Sequence, residues 1–66
     1  MIQLKLERMK RDYSQNKLAR EAHVDVSYIC NAEKRGFRLY KPQLERIAVV
    51  LGWEGDPSEL LEEVEL

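Results

Sequence analysis

Apolar positions fall at helical spacing through most of this chain, in short runs parted by polar breaks. Between Gln15 and Lys34 two such runs stand back to back. Leu18, Ala19 and Ala22 form one stripe and Ile29 and Ala32 another, so each run predicts a short amphipathic helix with a single buried side. Ser14 and Asp25 suit the N-caps of the two helices. Each is preceded by an apolar residue that can staple to a second one inside the helix, Tyr13 to Leu18 and Val24 to Ile29. Ala22-His23-Val24-Asp25 is the corner between them.

The flanking sequence extends this pattern. Ile2, Leu6 and Met9 predict a first helix from Ile2 to about Arg11, with Tyr13 continuing its stripe. Arg35 to Lys41 reads as a loop closed by Pro42, a residue suited to a first helical turn. A fourth helix runs from Pro42 to Leu51 and stops at Gly52, with Leu44, Ile47, Ala48 and Leu51 facing inward. Val49 and Val50 are left over beside Trp53. Asp56-Pro57-Ser58-Glu59 combines a cap, a first-turn proline and a capping glutamate, and predicts a last helix to about Val64 with Leu60, Leu61 and Val64 on its apolar side. The expected architecture is a single all-α domain over residues 1–66, built from five compact helices.

With the apolar stripes buried, the helix after Asp25 turns Val26, Ser27, Cys30, Asn31 and Lys34 outward together. That face is short and polar. A helix of this kind fits the DNA major groove, about 12 Å wide, where Asn31 can pair bidentately with adenine. Ser27 can bond several bases, Val26 can touch a thymine methyl, and Cys30 is small enough for close approach.

The order Ser14-Gln15, Leu18-Ala19, Val24, Ile29, Glu33, Pro42, Leu44, Ile47-Ala48 and Leu51-Gly52 resembles the helix-turn-helix regulators of the phage-repressor and Cro (XRE) type. The resemblance runs from about Leu4 to Leu61. It implies a helix-turn-helix at the second and third helices, with a recognition helix near residues 26–34. His23 departs from it, standing where the family usually has glycine; histidine tolerates the left-handed backbone this turn requires at some cost in strain. The resemblance also pairs Arg8 with Glu33 as a clasp between the first helix and the end of the third. It places DNA phosphates against Lys34, Arg35, Arg38 and Lys41, and against the helix start at Ser14 and Gln15, where free N–H groups favour an anion. The Gln15 side chain can share that phosphate or brace Ser27, and Tyr28 can reach a phosphate or pack on the first helix. Phe37, Leu39 and Tyr40 interleave the loop cations, with one or two expected to pack inward.

A formal charge of −1 argues against nucleic acid until its distribution is read. All eleven Lys and Arg lie between Lys5 and Arg46 among six acids, a local balance of +5, while Glu54 to Glu65 hold six acids and no cation. The acidic end reads as a solvated face. Lone Cys30 cannot form an internal disulfide, and no zinc-type spacing exists. No run approaches the ~20 apolar residues of a membrane span, and no leader sequence is visible, so a cytoplasmic location is expected, in a bacterium or phage by the resemblance. No paired carboxylates, activated nucleophile or phosphate-cradling loop points to an enzyme, and no cofactor, metal or small-molecule ligand is expected. The expected function is sequence-specific binding of double-stranded DNA as a transcription regulator, by a homodimer joined through Val49, Val50, Trp53 and the last helix. The alternative is a protein-interaction module, antitoxin-like or antirepressor-binding, that keeps the fold without binding DNA.

Overall fold

A computed structural model describes residues 1–65. They form four α-helices, α1 (Gln3–Lys10), α2 (Gln15–Ala22), α3 (Val26–Arg35) and α4 (Lys41–Leu51), followed by a 3-10 helix, Pro57–Leu61. The two best-marked helix starts are capped as their residues dictate. Ser14 Oγ accepts from the Lys17 N–H at 3.0 Å, and Asp25 Oδ1 accepts from the Ser27 N–H at 2.8 Å. Left-handed residues stop the last three α-helices: His23 (φ 57°), Gly36 (φ 69°) and Gly52 (φ 66°). Glycine adopts this conformation freely, whereas His23 carries the penalty of its Cβ.

Leu18, Ile29, Ile47, Leu51, Leu4 and Leu60 are fully buried and form the centre of the interior, with Ala19, Ala22, Ala32 and Ala48 allowing the helices close approach. α2 packs against both α3 and α4, and the 3-10 helix packs against α4 and α1. Two arginines join helix ends that the apolar pattern leaves unconnected. Arg46 Nε donates to the Ala22 carbonyl at 3.0 Å, and Arg11 Nε donates to the Leu51 carbonyl, so the open C-termini of α2 and α4 each gain a charged donor from another helix.

The structure departs from the sequence pattern at both ends of the chain. Of the Ile2-Leu6-Met9 stripe only Ile2, just before α1, is buried; α1 itself turns Leu4 and Glu7 inward, while Met9 is half exposed and Leu6 partly so. Glu7 tolerates burial because three donors surround its carboxylate: Gln3 Nε2 at 2.9 Å, Arg11 Nη1 at 3.3 Å and Lys10 Nζ at 3.5 Å. The expected last α-helix is a 3-10 turn that ends at Leu61. Beyond it the backbone extends and pairs with the chain start, Gln3 N–H donating to the Glu62 carbonyl at 2.8 Å and Val64 N–H to the Met1 carbonyl at 2.9 Å. Ile2, at the N-cap of α1, has no side-chain acceptor to offer, so the Glu62 carbonyl satisfies a donor that the helix leaves open. No helix among the described residues is long and apolar enough to cross a membrane.

Candidate nucleic-acid interface

α3 begins immediately after the three-residue corner His23-Val24-Asp25, and its start is fixed by the Asp25 cap. The Ser27 N–H and side chain hold the Asp25 carboxyl below its ordinary pKa, which keeps the cap charged. Ser27 and Lys34 stand exposed on the helix, and Asn31 and Cys30 are half-buried. Val26 differs from its expected outward role. It packs against the interior from the first turn of α3, because the core wraps around this end of the helix. The polar surface available to a ligand is therefore Ser27, Asn31 and Lys34, with the edge of Cys30.

Behind this face, Arg8 and Glu33 form a two-pronged ion pair. Arg8 Nε donates to Glu33 Oε2 at 2.8 Å and Nη2 to Oε1 at 3.0 Å, while Nη1 donates to the Tyr13 carbonyl at 2.8 Å. The side chains are 12% and 2% exposed, so the pair is shielded from water and ties α1, the α1–α2 turn and the last full turn of α3 together. Gln15 completes the arrangement. Its Nε2 donates to Glu33 Oε1 at 2.9 Å, so the side-chain amide neither braces Ser27 nor extends toward a phosphate; its carboxylate partner lies closer. What remains of the expected anion contact at Gln15 is the backbone at the start of α2, beside exposed Ser14.

The cations expected to hold phosphates cluster at the opposite end of α3. Lys34, Arg35, Arg38 and Lys41 are exposed, and none takes part in an ion pair among the described residues. Leu39, buried at 6% exposure, anchors the loop that carries Arg38, while Phe37 and Tyr40 stay outside. Tyr28 is also exposed, at 44%. Cys30 is a free thiol, and no cluster of potential metal ligands exists among the described residues.

Sequence periodicity missed Glu7, Arg11 and Arg46, the polar residues that set how the helices meet. Their signal is faint: Glu7 is matched by donors within four residues of it, while Arg11 and Arg46 are each aimed at a helix end far along the chain. The surface named for dimerisation is smaller than its residues imply. Val50 and Trp53 pack against the interior, Trp53 Nε1 donates to the Asp56 carbonyl at 3.1 Å, and the 3-10 helix gives its Leu60 to the core. Among Val49, Val50 and Trp53 only Val49 is widely exposed, at 80%. Compared with protein-family models, curated proteins and solved structures, the chain matches none.

Proposed function

We propose that the protein is a sequence-specific, double-stranded DNA-binding transcription regulator in which α2 and α3 act as a helix-turn-helix and α3 enters the major groove. The observation that carries this reading is the coincidence on one helix of an uncharged hydrogen-bonding face, exposed Ser27 and half-buried Asn31, with four exposed cations at and just beyond its end that form no ion pair among the described residues. Side chains that can read base edges lie next to side chains suited to phosphates, the division of labour that duplex recognition requires. The shielded Arg8–Glu33 pair supports it by fixing α3 against α1, since a reading helix is useful only in a defined pose. In this reading Asn31 and Ser27 choose bases, with Cys30 at close approach, and Lys34, Arg35, Arg38, Lys41 and the start of α2 hold the backbone. Regulation follows from occupancy of a site and occlusion of what lies there.

Selection of bound fragments from random duplex DNA, at low and moderate salt, tests the proposal. Enrichment of a defined motif is expected; recovery of no fragment, or of fragments without a common motif, overturns it. The reading includes two copies on one operator, with half-sites about 34 Å apart along the duplex. Sedimentation with and without operator DNA checks that part, and a complex holding a single copy contradicts it.

A further inference from the structure

Three of the five aromatic residues, Tyr28, Phe37 and Tyr40, are exposed, and all lie within thirteen positions of one another on α3 and the loop after it. The sequence pattern leads one to expect one or two of Phe37, Leu39 and Tyr40 to pack inward. Only Leu39 goes in. Phe37 remains 56% exposed and Tyr40 71%, each next in sequence to a cation, Arg38 and Lys41, that forms no ion pair among the described residues. After the hydrogen bonds from Ser58, the charge of Lys41 nevertheless helps to hold the Asp56 carboxyl below its ordinary pKa.

We infer that this loop is a stacking platform for unpaired nucleotides, with Phe37 and Tyr40 receiving bases and Arg35, Arg38 and Lys41 holding their phosphates, so that the preferred ligand is duplex DNA adjoining an unpaired stretch. The inference rests on the duplex-binding reading for the neighbouring contact of α3. Aromatic faces interleaved with cations are the chemistry that holds single strands, because every base offers a π-face and every nucleotide a charge. The platform is also pre-set in position. Leu39 pins it to the core, and the Phe37 N–H donates to the carbonyl of Asn31 at 3.4 Å, which ties the first stacking residue to the helix turn that carries the base-reading amide. Tyr40 occupies the N-cap of α4, where its backbone N–H, not its ring, bonds to Gln43 Oε1 at 3.1 Å. Its ring is therefore free for a ligand, and its removal leaves that bond in place.

The test is a fluorescence-anisotropy titration of the full chain on a blunt duplex and on the same duplex carrying a six-nucleotide overhang. The overhang should tighten binding about tenfold. Replacing both residues, Phe37→Ala with Tyr40→Ala, should abolish that gain and leave blunt-duplex affinity within about twofold; Phe37→Tyr with Tyr40→Phe, which keep the rings, should retain it. Circular dichroism of each variant verifies the fold. An overhang that gives no gain, or a gain that survives the double alanine variant, overturns the platform while the duplex reading stands. Binding of the overhang substrate with none to the blunt duplex, lost in the alanine variant, supports the platform and overturns the duplex reading instead.

Discussion

Glu33 has the most at stake among single residues, since its carboxylate is nearly sealed from water and depends on two donors, Arg8 and Gln15. Removing Arg8 leaves that charge buried with one neutral donor, a loss of about 3–5 kcal/mol. Glu33→Ala should cost less, because Arg8 is more exposed and keeps the Tyr13 carbonyl. A double-mutant cycle by urea unfolding should give a coupling above about 1 kcal/mol, and additivity within a few tenths would mean the pair is energetically idle. His23 is the opposite case. It is exposed and left-handed, so His23→Gly should raise unfolding free energy by about 1 kcal/mol; no gain would mean the corner holds His23 by contacts of its own. Asp25 ties residue chemistry to pH. Its folded carboxyl titrates below the unfolded value, so the cap stabilises fully above about pH 4 and fades as pH falls through the folded value. Asp25→Ala should lower the melting temperature at neutral pH and flatten the acid limb of stability, whereas Asp25→Asn caps without titrating and should flatten that limb with a smaller loss.

At the scale of elements, α2, α3 and α4 were legible in the sequence because what starts and stops them is local. Ser14, Asp25, His23, Gly36 and Gly52 act within a residue or two of the helix ends they define. The two ends of the chain were less legible because their partners are some sixty residues apart. α1 turns Glu7 inward because Arg11 and Gln3 come with it, and Arg11 in turn reaches the end of α4. The Asp56-Pro57 start was readable, but the exit at Glu62 depends on Met1 to Gln3, which no local signal reveals. The candidate site divides in the same way. Ser27 and the loop cations stand open, as helix phase and charge imply, while Val26 and the Gln15 side chain were claimed by neighbours from other segments. Truncation after Leu61 should erase hydrogen-exchange protection at the Gln3 amide and leave Ile29 and Ile47 protected; retained protection at Gln3 would show that the pairing of the chain ends does not hold α1.

For the whole molecule, the net charge of −1 conceals a polarity along the chain, and the proposed function uses its basic part. In the proposed function the groups that specify and the groups that attract are separate residues, so they can be removed separately. Asn31 lies on α3, whereas Lys41 opens α4 across the loop. The measurement that bears most directly on the account is a binding titration of the wild type, Asn31→Ala and Lys41→Ala on operator and scrambled duplexes at several salt concentrations. Asn31→Ala should lose about 1–3 kcal/mol of preference at one operator position and keep the salt slope, while Lys41→Ala should weaken all duplexes alike and reduce that slope by about one. Failure of the wild type to bind either duplex at low salt, or an operator preference unchanged by Asn31→Ala, would contradict α3 as the reading helix.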